Sequence, residues 1–387
     1  MAGVLLQPKA PNLRKSITIL GATGSIGDST LDIIRRNPEQ FEVVALTANG
    51  NAEKLIALAK EFRPKAIALA DENKLPELRA AKLDCDIVSI EEAASMGADI
   101  TVAAIVGAAG LPAVMAAIKH GKTVALANKE SLVCAGSLVL QACQKYGTKL
   151  LPIDSEHNAV FQVLATEHRA ALEKVTLTAS GGPFLNRPLD TFKDITPTEA
   201  VAHPKWNMGA KISVDSATMF NKGLELIEAH FLFGLPPEQL DVLIHPESIV
   251  HALVHYADGS VLAQLGMPDM RIPISYTLAW PNRIPIPTER LDLAKISTLN
   301  FRLMDEARFP ALQLAKQAMA AGQWAMITLN AANEVAVAAF LEKRLGFEAI
   351  THTVERALAE STPHAMNTLE DVVALDTEVR QKTSQYL

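Results

Sequence analysis

Asp154-Ser155-Glu156 sets two carboxylates two positions apart, directly after the strand-like run Leu150–Ile153. In an extended segment residues i and i+2 point to the same side, so Asp154 and Glu156 can converge on one ion. A third acid lies in Asn221-Lys222-Gly223-Leu224-Glu225. On a helix Asn221 and Glu225 share a face, with Lys222 beside them. Three carboxylates without a thiolate set suit a hard ion, Mg²⁺ or Mn²⁺, rather than zinc. Alone, Asp-x-Glu is an ordinary solvated pair, so its surroundings have to decide. His157 reads as a core or supporting histidine.

A second constellation lies near the start. Strand-like Ile17–Leu20 runs into Gly21-Ala22-Thr23-Gly24-Ser25-Ile26-Gly27, and a helical pattern follows up to Pro38. Such glycines let a backbone turn tightly and approach a pyrophosphate, which then sits on the helix N-terminus. The next strand ends in Thr47-Ala48-Asn49-Gly50-Asn51, without the acid that holds the ribose hydroxyls of NAD. That leans toward NADPH, although no arginine stands there for the extra phosphate.

Ser180-Gly181-Gly182 ends the run Val175–Ala179 in a glycine turn, and Ser213-Val214-Asp215-Ser216 precedes the Asn221 segment. With Lys222 these groups could make a phosphate site; taken alone, Ser213 or Ser216 reads better as a helix cap. His203-Pro204-Lys205-Trp206-Asn207-Met208-Gly209 is either a lid hinged at Gly209 or a loop anchored by a buried tryptophan.

The elements that must position these residues fall into three parts. Strand-like Ile17–Leu20, Glu42–Leu46, Ala66–Leu69, Thr101–Val106, Thr123–Ala127 and Leu150–Ile153 alternate with helical patterns such as Leu55, Leu58, Ala59 and Phe62. Apolar strands alternating with helices predict a Rossmann-like parallel sheet over 1–153 in an α/β protein. An α+β catalytic domain over 154–280 includes a hairpin about Asp258-Gly259, between Ser248–Tyr256 and Ser260–Leu265. A proline-rich linker (281–305) leads to a small helical domain (306–387), with helical patterns over Ala311–Met319, Leu329–Leu345 and Phe347–Leu358.

Composition narrows the function classes. With 36 basic against 43 acidic residues in 387, a net charge of −7 gives no support to a nucleic-acid partner. Apolar residues at 49% and charged ones at 20% are those of a folded globular protein. The run Val4–Leu6 is too short for a signal peptide. Ile100–Ile118 carries no charge over 19 residues, but Gly107, Gly110 and Pro112 break it, so strand, turn and helix are expected and no membrane span. Three cysteines, Cys85, Cys134 and Cys143, read as reduced thiols of a cytoplasmic protein.

Together these segments resemble the 1-deoxy-D-xylulose 5-phosphate reductoisomerase family of the non-mevalonate isoprenoid pathway. The likeness rests on the Gly21–Gly27 turn, Ala104–Leu111, Ala127-Asn128-Lys129-Glu130-Ser131-Leu132, Asp154–Asn158 and Ser180–Phe184. It continues in His203-Pro204 with Trp206 and Met208-Gly209, in Lys211–Met219, Asn221–Glu225 and Leu329-Asn330-Ala331-Ala332-Asn333-Glu334. It runs from about Ile17 to about Phe340 and is loose beyond.

The resemblance implies NADPH held by Thr23, Gly24, Ser25 and Ile26, with Asn51, Asn128, Glu130 and Gly209 as further contacts. It implies Mg²⁺ or Mn²⁺, with Co²⁺ as an alternative, on Asp154, Glu156 and Glu225. A sugar phosphate substrate would meet Ser180, Ser216, Asn221 and Lys222 at its phosphate and hydroxyl end. Lys129, Ser155 and His203 would face the reacting carbons, with Trp206 closing over them. It further implies a homodimer whose C-terminal helical domain is structural. Gly50 departs from the lysine or arginine that family members often carry before Asn51. Two rivals remain. An aspartate-semialdehyde-type dehydrogenase would need an activated cysteine nucleophile, and a dinucleotide-sensing regulator would need no carboxylate trio.

Overall fold

The structure, a computed structural model, describes residues 14–387 apart from 165, 204 and 207. The Val4–Leu6 run, Pro204 and Asn207 therefore lie outside the described residues. The first part of the chain forms strands β1 (Lys15–Leu20), β2 (Phe41–Ala48), β3 (Ala66–Leu69), β4 (Asp86–Ile87), β5 (Ile100–Ala103), β6 (Thr123–Leu126) and β7 (Lys149–Pro152). Every neighbouring pair is parallel, in the order β4-β3-β2-β1-β5-β6-β7. Ile17, Ile19, Ile67 and Val102 are wholly buried, as expected of strands covered on both faces.

The strand order reverses at β1, whose neighbours are β2 and β5. Ligands of open α/β sheets bind beyond the carboxyl ends of the strands at such a switch point. Here Gly21 leaves β1 with φ of +90°, and a Cβ on it would stand 2.7 Å from the Ala104 carbonyl oxygen at the end of β5. Only glycine lets the two loops meet. β5 stops at Ala103, not at Val106, and Gly107 turns the chain with φ of +81° into the helix Leu111–His120.

A second sheet carries β8 (Leu172–Ala179), β9 (Leu240–Ile244), β10 (Val250–Tyr256), β11 (Val261–Leu265) and β12 (Arg302–Leu303), in the order β11-β10-β8-β9-β12. β8 and β9 are parallel and the remaining pairs antiparallel. The expected hairpin joins β10 to β11, with Gly259 at φ of +85°. The segment read as a linker contributes β12, which pairs Arg302 with Ile244. Four helices, Ala311–Ala321, Gln323–Leu341, Phe347–Glu360 and Leu369–Ser384, close the chain. Their apolar faces are not a separate core: Leu329, Val337 and Phe340 share one cluster with Leu132 and Val139 of the first part and with Phe220 and Leu224 of the second. Gln323–Leu341 is long and apolar enough to cross a membrane, but 72% of that window is buried inside the protein.

Candidate active site

Lys129, Asp154, Asn221 and Glu225 come from three elements that end at one place. Lys129 precedes the helix Glu130–Tyr146 after β6, and Asp154 caps the helix Ser155–Val163 after β7, accepting the Ser155 N–H at 2.9 Å. Glu156 lies in the first turn of that helix. Asp154 and Glu156 thus converge across a strand-to-helix junction, not through strand alternation, because the helix begins at Ser155. Glu225 belongs to the helix Phe220–Phe233, entered through Met219 at φ of +66°. One oxygen from each of Asp154, Glu156 and Glu225 lies within 4.8 Å of the others.

Two lysines are threaded through this trio. Lys129 Nζ is 2.5 Å from Asp154 Oδ2, 2.8 Å from Asn221 Oδ1 and 3.4 Å from Glu225 Oε1. Lys222 Nζ donates to Glu156 Oε1 at 2.9 Å and, closely, to Glu225 Oε2. Lys222 is 4% exposed, so it is not a solvated surface lysine. Asn221 Nδ2 donates to Glu225 Oε1 at 2.5 Å, and Ser155 Oγ to Glu156 Oε2 at 2.6 Å. His157 is the buried support expected: its Nε2 lies 2.8 Å from the Glu225 carbonyl oxygen and its Nδ1 3.3 Å from Glu228 Oε2.

Burial would raise the pKa of Asp154, but the Lys129 ammonium outweighs it and holds the carboxyl well below its usual range. Burial is likewise outweighed at Glu156 by Lys222. At Glu225 burial and then the Glu156 charge prevail and push it up to about 7. Burial would lower both lysines, yet the surrounding carboxylates raise them. Two ammonium groups therefore do not fully offset three carboxylates. An all-oxygen trio with residual like-charge repulsion fits a hard divalent cation.

The trio opens into a cavity of about 610 Å³. Gly24, Ser25 and Ile26 of the glycine turn line it, together with Asn128, Glu130 and Gly209. Ser155, Ser180, Ser216, Asn221 and Lys222 line the same cavity as the carboxylates. Ser180 Oγ and His203 Nε2 are 3.1 Å apart, and burial lowers His203 from 6.5 to about 4. Trp206, half-buried, lines the same cavity, its ring centroid 6.5 Å from that of His251. Thr23 and Asn51 do not line the cavity: the Thr23 carbonyl accepts from Lys54, and Asn51 caps the helix Ala52–Phe62.

Ser213 and Ser216 do not cap the Asn221 helix. They lie inside a helix of their own, Ala210–Thr218, where Ser213 Oγ donates back to the Gly209 carbonyl at 3.0 Å. Lys211, given no role by sequence reasoning, bridges Glu130 at 2.8 Å and Asp215 at 2.9 Å. Asp269 and Met270 also reach the cavity wall; no motif marked them. The cysteine nucleophile of the rival dehydrogenase is missing. Cys134 and Cys143 are buried in the Glu130–Tyr146 helix, and burial pushes Cys134 well up and Cys143 to about 11.

Residues 17–136 match the family described as 1-deoxy-D-xylulose 5-phosphate reductoisomerase, and residues 150–233 its C-terminal domain. Residues 265–382 match a further family, DXP reductoisomerase C-terminal domain, so the likeness extends well beyond Phe340. Among curated proteins, the 1-deoxy-D-xylulose 5-phosphate reductoisomerase of Zymomonas mobilis subsp. mobilis is 51% identical over 95% of this chain and 96% of its own length. That of Burkholderia multivorans is 51% identical over 97% of each chain. Among solved structures, the Zymomonas mobilis enzyme in complex with NADPH superposes with a TM-score of 0.90, at 49% identity, covering 97% of this chain and 99% of that one. A DOX-P reductoisomerase in complex with NADPH, fosmidomycin and magnesium gives 0.92, at 45% identity, covering 96% and 98%.

Proposed function

The chain belongs to the 1-deoxy-D-xylulose 5-phosphate reductoisomerase family, and from that membership we infer that it isomerises and reduces 1-deoxy-D-xylulose 5-phosphate to 2-C-methyl-D-erythritol 4-phosphate. It is an NADP-dependent oxidoreductase of isoprenoid biosynthesis that uses a divalent metal. The observation that carries this reading is the carboxylate trio Asp154, Glu156 and Glu225 in one cavity with the Gly24–Ile26 turn.

The residues divide the work by position. A divalent cation held by Asp154, Glu156 and Glu225 would polarise the substrate carbonyl as a Lewis acid, and NADPH seated by its pyrophosphate on the Gly24–Ile26 turn would supply the hydride from its nicotinamide. Lys129, buried and held cationic by Asp154 and Glu225, stabilises the oxyanion that develops as the carbon skeleton rearranges by retro-aldol and aldol steps. Ser180, Ser216, Asn221 and Lys222 receive the phosphate and hydroxyl end of the sugar, and Ser155 and His203 face the reacting carbons. Gly24, Ser25 and Ile26 hold the pyrophosphate through backbone N–H groups at the start of the helix Ser25–Arg36, with Asn128, Glu130 and Gly209 as further cofactor contacts. Trp206 closes over the cavity and excludes water.

The same reading extends to organisation. The domains are 1–153 for NADPH, 154–280 for metal and substrate, and 306–387 as the C-terminal helices. The unit is a homodimer in the cytoplasm. Unpaired thiols at Cys85, Cys134 and Cys143 accord with a reducing compartment, and an exposed edge strand with Val261 and Leu262 in the open accords with a covered surface. The test is NADPH oxidation with the pentulose phosphate in the presence and absence of metal. A purified chain that oxidises no NADPH with metal and substrate present would overturn the assignment.

A further inference from the structure

Leu329–Glu334 lies in the C-terminal helices, yet its polar side chains reach back to the cofactor side of the cavity. Glu334 Oε1 accepts the Ala108 backbone N–H and the Asn330 amide, each at 3.1 Å. Arg380, from the helix Leu369–Ser384, donates to Glu334 Oε2 at 2.6 Å and through Nε to Asp376 at 2.7 Å. Ala108 continues the loop whose residues Ala104, Ile105 and Val106 line the cavity. Asn128 grips that loop from its other side, with Nδ2 2.6 Å from the Ile105 carbonyl and 2.9 Å from that of Gly107. The fit is close, since a Cβ on Gly107 would stand 3.1 Å from Glu334 Oε1.

The neighbouring Asn333 donates to Asp215 at 2.7 Å. Asp215 pairs with Lys211, which pairs with Glu130 on the cavity wall. Two adjacent residues of one helix thus hold two walls of the dinucleotide end, one through a backbone N–H and one through an ion-pair chain.

We propose that Glu334, oriented by Arg380, is a positioning residue for the dinucleotide, fixing the 104–108 loop against the glycine turn. The C-terminal helical domain is then part of the cofactor site and not only a structural support. Without the carboxylate the Ala108 N–H loses its partner, and the loop is held by Asn128 alone among these side chains. Reordering it on binding would cost affinity for the dinucleotide and leave the metal trio untouched.

The inference rests on the cavity being the NADPH site, so the wild-type affinity is measured first. Full-length Glu334→Ala, Glu334→Gln and Arg380→Gln proteins are titrated with NADPH by fluorescence and with Mn²⁺ by electron paramagnetic resonance. Glu334→Ala is expected to weaken NADPH binding about 10-fold, the scale of one charge-assisted hydrogen bond. Glu334→Gln, which keeps an acceptor for Ala108, should restore most of the loss. Arg380→Gln, on a pair with 32% and 15% of its side chains exposed, should weaken binding about 3-fold, and it decides the matter if Glu334→Ala does not fold. Mn²⁺ affinity should stay at the wild-type value throughout. Unchanged NADPH affinity in the variants, or NADPH and Mn²⁺ affinities falling together, overturns the positioning role. A wild type that binds no NADPH overturns the functional reading with it.

Discussion

Lys129 Nζ lies 2.5 Å from Asp154 Oδ2, with only 6% and 17% of the two side chains exposed. The contact pairs an ammonium with one of three clustered acids, in which burial first and the Glu156 charge second push Glu225 up to about 7. A dication added to the trio competes with Lys129 and Lys222 for the same oxygens and wins through its higher charge. Chelation is therefore expected to abolish turnover, and Mg²⁺, Mn²⁺ or Co²⁺ to restore it. Glu225→Gln should lose roughly 10²- to 10⁴-fold in kcat, the scale of several kcal/mol of Lewis-acid stabilisation, while NADPH binding persists. Full activity in excess chelator would sink the metal assignment.

His203 offers a pH test. Burial lowers it from 6.5 to about 4, so it is neutral near pH 7, a hydrogen-bonding partner for Ser180 and, in the proposed function, for the substrate. Because the folded pKa lies below the unfolded one, the unfolded chain takes up the proton first. The stability linked to this histidine is thus complete above about pH 6.5 and declines as pH falls toward 4. His203→Asn should lower kcat without moving any ionisation in the pH–rate profile near pH 6–7, roughly the range where an ordinary histidine titrates. It should also flatten the acid limb of Tm against pH. A steeper acid limb in the variant would contradict the sign.

NADPH preference is expected in spite of Gly50. The structure brings Lys54 to this turn: its Nζ is 3.0 Å from the Thr23 carbonyl and 2.7 Å from Asp28 Oδ2. That places an ammonium between the glycine turn and the end of β2, where a ribose phosphate would lie. Lys54→Ala should reduce kcat/KM for NADPH about 10-fold more than for NADH, by the loss of one charge-assisted contact. Equal losses for both cofactors would show that the 2′-phosphate has another partner.

Much of this is legible in the sequence. β1 and the Gly21–Gly27 turn follow from strand, glycine spacing and helix in sequence, because the close approach of Gly21 to Ala104 leaves no room for a side chain. Asp154, Glu156 and Glu225 stand out by type and spacing, and the fold brings them within 4.8 Å, but Asp154 and Glu156 meet because a helix starts at Ser155 and not through strand alternation. Other elements leave no local signal. β12 is two residues long and exists through pairing with β9, so periodicity cannot mark it. Glu334 and Ala108 are 226 positions apart, and nothing in either segment names the other. Lys211 stands beside Ser213 and Asp215 in the sequence, but its bridge to Glu130 depends on where two helices meet.

Lys222 allows substrate binding and metal binding to be tested apart. Its Nζ contacts Glu156 and Glu225, so one helix carries the cation proposed for the substrate and, three residues along, a carboxylate proposed for the metal. If Lys222 serves the substrate phosphate, its removal should cost about 10- to 150-fold in kcat/KM, the range of one charge-assisted hydrogen bond of roughly 1.5–3 kcal/mol. Removing a positive charge beside the trio should meanwhile leave Mn²⁺ affinity equal or tighter, because a dication and an ammonium repel at this range. Lys222→Ala is thus expected to split the two functions: weaker use of the sugar phosphate, no loss of metal, and nearly unchanged NADPH affinity. The comparison that decides it sets wild type and variant on the phosphorylated sugar and on its unphosphorylated analogue. A defect that shrinks on the analogue assigns the phosphate to Lys222. An equal defect on both, with weakened Mn²⁺ binding, would make Lys222 a support for Glu156 and Glu225 instead.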